Sequence, residues 1–271
     1  MKILRNWLYS LIDSSFGNWD RTLDDVLRII TQSPDEFNHA AYEMIQSVYS
    51  VLLPIAYNLL ALFFLIEFLS KSATLEVMRW EQIARILFKM VLAKVIIENT
   101  FGLLNIIFTI SSDAILKVNT IPLSPGEPMA DATQAIKDSV PKEFWTELAT
   151  IISFLPYSFF MWLTKIMIMV IALGRMIEIY ILTAVAPLPI ATFTSGNLKT
   201  IGKRFFQNYA GVCLQGLFIL LVTKLYGAIT AGVPMDGTGW EIIGKMLVVS
   251  LTTVTLLVKS GTWAKKITGA V

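Results

Sequence analysis

The sequence predicts an all-α, polytopic membrane helix bundle with about five transmembrane helices and amphipathic helices at its N-terminus. Hydrophobic residues make up 55% of the 271 residues and charged residues only 15%, whereas a soluble domain carries about a quarter charged residues. Several apolar runs are long enough to cross a hydrocarbon core about 30 Å thick. The net charge of +2 is too small to indicate bulk binding to nucleic acid.

Residues 1–47 are predicted to form extracellular or interfacial amphipathic helices. Apolar residues recur on one helical face in the stretches 3–12 and 23–30. Both stretches are too short and too polar to span, so we expect them at the membrane surface or against the bundle. Ser33-Pro34-Asp35-Glu36 then has the pattern of a capped helix start. We expect that helix to continue into the first span without interruption.

Residues 48–110 are predicted to contain spans 1 and 2, at about 48–69 and 86–110. Lys94 and Glu98 lie inside the second apolar run, four residues apart. Opposite charges at this spacing face each other on a helix and can pair.

Residues 111–147 are predicted to form an extracellular loop with short helices that begin near Met129 and Pro141. Residues 148–258 follow with spans 3–5, including a long helix interrupted by proline. Residues 259–271 are predicted to be a cytoplasmic tail.

The number of spans depends on residues 151–194. If wholly helical, these 44 residues extend about 66 Å at roughly 1.5 Å per residue, more than one straight crossing needs. They form either two spans hinged at Gly174 or one long span with an interfacial extension. In the second case we expect Pro156 to separate an interfacial helix from the true span.

Basic residues favour five spans, with six as the alternative. The linkers 70–85 and 195–209 and the tail 259–271 each hold three Lys or Arg residues, and the loop 231–241 holds none. Cytoplasmic segments carry an excess of Lys and Arg. Five spans put all three basic segments on the cytoplasmic side, with the N-terminus outside and the C-terminus in the cytoplasm.

The stretch Gly174–Phe193 carries the main candidate site, because an apolar run here contains Arg175 and Glu178 and then breaks at Pro187 and Pro189. A charge at the bilayer centre costs about 2.5–3.5 kcal/mol even on the lenient insertion scale. One interpretation is an internal Arg175–Glu178 ion pair that locks the bundle. The other is a polar ring that lines a conduit or a subunit interface.

The same two interpretations apply to three further intramembrane charges, Lys165, Lys94 and Glu98. A basic cytoplasmic linker follows the prolines and contains Lys199, Lys203 and Arg204. Its simplest role is to set the topology, and contact with phosphates of lipid or DNA is a weaker alternative.

No catalytic residue, cofactor or metal is predicted. The one histidine, His39, and the one cysteine, Cys213, cannot build a catalytic triad or a typical zinc site. The nearest imitation of a phosphate loop, residues 196–204, has five residues between its glycines instead of four and Arg204 where Ser or Thr is needed. A partner must therefore supply any energy for transport.

The motifs GRMIEIY and APLPIATF resemble the signature region of TrbL-like subunits, the sixth VirB component type, of conjugative type IV secretion systems. The similarity is to the form carried by integrative conjugative elements of Gram-positive bacteria. Similar stretches lie at 53–69, 98–108 and 203–221, so the resemblance covers most of residues 45–230.

The resemblance implies a multi-pass subunit of the bacterial cell membrane with an outer loop after the second span. It also implies ring-like homo-oligomers, pentamers in this family, which contact membrane lipid, a cytoplasmic secretion ATPase and other type IV secretion membrane subunits. The machine moves single-stranded DNA bound to a relaxase. No catalytic residue of the family transfers to this sequence.

We therefore predict a non-enzymatic channel or scaffold subunit of a conjugation machine. The main alternative is a small-solute transporter or ion channel that uses the intramembrane charges, and inverted repeats, which would favour it, are not found. A platform that anchors partners and conducts nothing is a second alternative.

Overall fold

The computed structural model describes residues 2–16, 19–74, 80–121, 134, 137, 144–195, 198–232 and 239–270. All regular structure within them is helical, which confirms the all-α prediction. The α-helices are α1 (Lys2–Phe16), α2 (Trp19–Thr31), α3 (Pro34–Phe37), α4 (His39–Thr74), α5 (Trp80–Asn119), α6 (Phe144–Val185), α7 (Pro187–Ala191), α8 (Lys199–Gly232) and α9 (Gly239–Ile267).

Five of these helices are long and apolar enough to cross a membrane, as predicted. The candidate spans are His39–Ser70, Ile83–Asn119, Leu148–Val185, Lys199–Ile229 and Gly244–Ile267. Residues 151–185 of the ambiguous region belong to one continuous helix without a hinge at Gly174, so this region does not supply the two spans of the six-span alternative.

Pro156 does not break α6, contrary to the prediction, and Gly174 also lies inside this helix. The reason is visible in the pattern of burial around the proline. Phe154 and Tyr157 are both fully buried, while Pro156 between them is exposed. The pyrrolidine ring therefore lies away from the packed face. The buried side chains of Phe154 and Tyr157, before and after the proline, hold the helix continuous through this position.

The predicted capping box at Ser33 is confirmed, but the helix that it starts does not reach the first span. The Ser33 side chain accepts from the Glu36 amide, and the Glu36 carboxylate accepts from the Ser33 amide. Asn38 then leaves the helix with an extended backbone, φ −158° and ψ 99°. The Asn38 Oδ1 accepts a hydrogen bond from the Ala41 amide at 2.9 Å, so Asn38 caps the N-terminus of α4, which is a new helix.

Two further boundaries differ from prediction, and a third prediction lies outside the described residues. α5 continues to Asn119, into the expected loop 111–147. α8 begins at Lys199, so most of the predicted linker 195–209 is helical. The short helices expected near Met129 and Pro141 begin outside the described residues.

The chain divides into two compact units. Unit 1 comprises Met1–Thr31, Ala114–Gly174 and Gly216–Gly261; unit 2 comprises Gln32–Asp113, Arg175–Gln215 and Thr262–Val271. In unit 1, the amphipathic helices α1 and α2 bury apolar side chains on one face, among them Leu8, Ile12, Val26 and Ile30. Their packing against protein agrees with one of the two positions predicted for these helices.

Unit 2 has its own apolar core and contains the candidate site. Side chains of α4, α5, α6 and α8 meet in this core, and α7 packs against α4. Representative buried residues are Leu60, Ile97, Ile179, Ile190 and Tyr209.

Candidate functional site

The proline break of the signature stretch is buried inside unit 2. α6 ends at Val185, and Pro187 starts the short helix α7, which a 3₁₀ turn, Thr192–Thr194, follows. Pro187, Ile190 and Ala191 are buried. Irregular backbone at membrane depth is tolerated where protein surrounds it, and this segment meets that requirement.

Thr192 and Gly202 hold the break against the start of α8. The Thr192 hydroxyl donates to the Pro189 carbonyl at 2.6 Å and accepts from the Gly202 amide at 3.2 Å. A Cβ at Gly202 would lie 3.0 Å from the Pro189 carbonyl oxygen and 3.0 Å from the Phe193 ring. A glycine at position 202 thus allows the two backbones to approach.

Among the residues that the structure describes, Arg175 is the largest side chain that is fully buried, with 1% of its surface exposed. Its Nε donates to the Val212 carbonyl at 3.0 Å and its Nη2 to the Cys213 carbonyl at 2.8 Å. Its guanidinium carbon lies 5.7 Å from the centre of the Phe108 ring, a distance typical of a cation–π contact.

Ser111 adds a second donor to the same acceptor. Its hydroxyl donates to the Cys213 carbonyl at 2.6 Å, so α5 and α6 both contact one backbone oxygen of α8. A carbonyl oxygen has two lone pairs and can accept more than one hydrogen bond. Arg175 and Ser111 therefore join three helices through the backbone of α8.

Glu178 is held by a different helix. Its Oε1 lies 2.7 Å from the Nζ of Lys265, in the last turn of α9. The pair is partly exposed, at 38% for Glu178 and 29% for Lys265. Arg175 therefore donates to α8, and the Glu178 carboxylate pairs with α9. Whether these residues lock the bundle or line a conduit stays a prediction.

The other predicted charges have partners within their own compact units. In unit 1, the Lys165 ammonium donates to the Ser14 carbonyl at 3.0 Å, near the C-terminus of α1, where a cation is favourable. In unit 2, Lys94 and Glu98 lie 3.7 Å apart on α5, as their spacing predicts, and Glu98 also accepts from the Tyr57 hydroxyl at 3.5 Å.

The basic residues after the prolines, Lys199, Lys203 and Arg204, are all exposed on the first turns of α8. Within the described part of the chain, no group of three or more His, Cys, Asp or Glu residues could hold a metal ion.

Sequence reasoning missed the partners of Arg175 and Glu178. The acceptors of Arg175 are the backbone carbonyls of Val212 and Cys213, and a pattern of side chains cannot indicate them because every residue has a backbone carbonyl. Lys265 lies in a basic tail, where its charge was already explained by topology. Ser111 was assigned to the start of the extracellular loop 111–147 and not to a span.

A family model described as TrbL/VirB6 plasmid conjugal transfer like protein matches residues 20–187. The chain belongs to this family. The match includes Lys165, Arg175, Glu178 and Pro187, whereas the basic start of α8 lies beyond it. A search of curated proteins finds no match.

Family membership makes the protein a component of conjugative type IV secretion, within a family of structural subunits that interact with other components of the machine. The five membrane-spanning helices make it a multi-pass membrane protein.

Proposed function

We propose that this TrbL/VirB6 subunit forms an oligomeric conduit or platform in the bacterial cell membrane, through which single-stranded DNA with its bound relaxase is transferred. The observation that supports the proposal is the family match over residues 20–187, which includes the first two spans and α6. The role is passive, and a cytoplasmic secretion ATPase drives the substrate.

The proposal retains the finer expectations from the sequence. The N-terminus and the loop after the second span lie outside, and the tail lies in the cytoplasm. The protomers form a ring, pentameric by resemblance, and the host element is an integrative conjugative element of a Gram-positive bacterium. Other type IV secretion membrane subunits and membrane lipid surround the ring.

Within this proposal Arg175 is a lock rather than a lining residue. Its side chain is 1% exposed and donates to two backbone carbonyls, so it does not present its charge to a passing substrate. A transporter that couples to a solute through this charge would need the guanidinium to face the solute. The geometry of Arg175 therefore supports a structural role.

Crosslinking of DNA in transit tests the proposal. A photoreactive residue at Lys199 or Arg204, both exposed, is placed in the subunit in mating cells, with an equivalent probe at exposed Val248 on α9 as control. DNA recovered with the basic positions but not with the control indicates a conduit, and crosslinks to protein partners alone indicate a platform. Transfer that continues unchanged after deletion of the gene would overturn both.

A further inference from the structure

Two adjoining columns of exposed residues run along α5 between Lys94 and Asp113, and they differ in chemistry. The polar column consists of Lys94, Glu98, Gly102, Asn105, Thr109 and Asp113. The apolar column consists of Val95, Asn99, Leu103, Ile106 and Ile110. Together the two columns contain every exposed residue of this stretch. Each residue of the apolar column directly follows one of the polar column, which places it about 100° further around the helix.

The apolar column has the chemistry of a lipid-facing surface, and the polar column does not. On α6, every exposed residue from 151 to 185 is apolar, glycine or proline. Asn99, the one amide of the apolar column, donates to the Val95 carbonyl of its own helix at 2.8 Å. The polar column instead holds the Lys94–Glu98 pair, whose side chains are 60% and 46% exposed. Because charges in contact with hydrocarbon cost free energy, lipid does not suit the polar column.

The chain itself satisfies only part of the polar column. Glu98 accepts from the Tyr57 hydroxyl of α4 at 3.5 Å, and the Thr109 hydroxyl donates to the Asn105 carbonyl at 2.9 Å. Within the part of the chain that the structure describes, the side chains of Asn105 and Asp113 make no hydrogen bond or ion pair. Polar groups removed from water without a partner are costly. These side chains therefore need water or a polar partner from outside the chain.

The polar column has a direction along the helix. Lys94 to Thr109 lie inside the predicted span 86–110 and extend about 22 Å at roughly 1.5 Å per residue, and Asp113 continues the column beyond that span. Towards the start of α5, the same side of the helix carries Val91 and Leu87, which are exposed and apolar. The polar surface thus begins within the span at Lys94 and continues to the Asp113 end.

We infer that the polar column of α5 lines a water-filled path that opens at the Asp113 end of the helix, with the Lys94–Glu98 pair at its inner limit. Charged residues within spans commonly face such water-filled cavities. Water supplies donors and acceptors to every polar side chain of the column without any complementary residue. A docked helix would instead have to desolvate the ion pair and match both Asn105 and Asp113. The inference rests on the proposed conduit and names the surface of the subunit that forms its wall.

Thiol accessibility at neighbouring positions tests this wall. In the chain with Cys213→Ala, single cysteines replace Asn105 or Thr109 in the polar column and, as controls, Ile106 or Ile110 in the apolar column. The two positions of each pair lie at nearly the same depth and differ in direction. Isolated membranes with the complete conjugation machine are treated from both faces with a charged maleimide. We expect reaction at least about fivefold faster in the polar column, because the reactive thiolate forms in contact with water.

Two results of the accessibility test would overturn the inference. One is reaction in the polar column that is no faster than in the apolar column. The other is slow reaction at positions 105 and 109 in membranes that becomes fast once the subunit is extracted into detergent. That change would show that a protein partner, and not water, covers the polar column in the assembled machine.

DNA transfer tests whether the path is used. Asn105→Leu with Thr109→Val is expected to lower transfer by about tenfold or more, because an apolar constriction excludes water. Asn105→Gln with Thr109→Ser, and the control Ile106→Leu with Ile110→Val, should retain transfer. Thermal unfolding and the amount of subunit in the membrane verify that each variant folds.

Full transfer by the variant with Asn105→Leu and Thr109→Val would contradict the role of the polar column. If the column fails both tests while transfer still requires the gene, the wall is wrong and the proposed function stands.

Discussion

The Glu178 carboxylate lies 2.7 Å from the Lys265 ammonium, although 87 positions separate the two residues in the chain. α6 and the last turn of α9 are thereby joined near the end of the sequence. Three residues before Glu178, Arg175 holds the backbone of α8. Two charges one turn apart on α6 thus contact two different helices, and this arrangement leads to the first two predictions.

Loss of the Arg175 side chain should strongly destabilise the protein. Arg175→Ala leaves a cavity in a fully buried position and removes the donors to Val212 and Cys213, so we expect a loss of about 3 kcal/mol or more. Thermal unfolding in detergent measures the change. Arg175→Lys, which keeps the charge but not the two-pronged geometry, should lose less. An Arg175→Ala protein that keeps its stability but fails in transfer would instead favour the lining interpretation.

The Glu178–Lys265 pair should contribute little by itself. Both groups are about a third exposed, so we expect a coupling energy of about 0.5–1 kcal/mol. A double-mutant cycle with Glu178→Gln and Lys265→Met measures it. The exchanged pair, Glu178→Lys with Lys265→Glu, should recover most of the loss. Strictly additive single variants would show that the contact does not stabilise the fold.

Gly202→Ala should destabilise the junction between α7 and α8. The new Cβ would lie 3.0 Å from the Pro189 carbonyl, whose backbone cannot easily move. Overpacking of this kind costs about 1–3 kcal/mol and exceeds the gain in helix propensity. Gly174→Ala is the matched control, since nothing lies within 4 Å of its Cβ position, and should leave stability unchanged or raise it by up to about 1 kcal/mol. If Gly202→Ala and Gly174→Ala change the unfolding temperature equally, the inference that a Cβ at position 202 collides with the Pro189 carbonyl is wrong.

Ser33→Ala should weaken the start of α3 by about 1 kcal/mol, because Ser33 caps the helix through its side chain. The hydrogen bonds from the Ser33 amide and hydroxyl hold the pKa of Glu36 below its ordinary value. A lowered folded pKa means that the Glu36 contribution is present above the unfolded pKa and is lost as the pH falls through the folded pKa.

The stability difference between the native protein and Glu36→Gln should therefore shrink on acidification from about pH 6 to about pH 3. Thermal unfolding across this range measures it. A difference that stays constant down to the lowest pH would show that the capping box does not hold the Glu36 carboxylate.

The helices themselves were predictable from the sequence because their signals are local. The capping box at Ser33 needs only a hydroxyl and a carboxylate three residues apart, and the sequence shows both. The five spans follow from apolar length and from the side on which basic residues fall. The prediction of a helix break at Pro156 was wrong. Proline favours a break locally, but the packing of buried Phe154 and Tyr157 on either side of it keeps the helix continuous, and this packing is seen only in the folded structure.

The sequence by itself determined that Arg175 and Glu178 lie in an apolar helix and need partners, since charge and hydropathy are properties of residues in order along the chain. Only the tertiary structure decided who those partners are. The Val212 and Cys213 carbonyls belong to the backbone, which every residue shares, and Lys265 comes 87 positions after Glu178. Contacts of this kind depend on which faces of the helices pack together, and that is determined by the packing of the helices as a whole rather than by any local stretch of sequence.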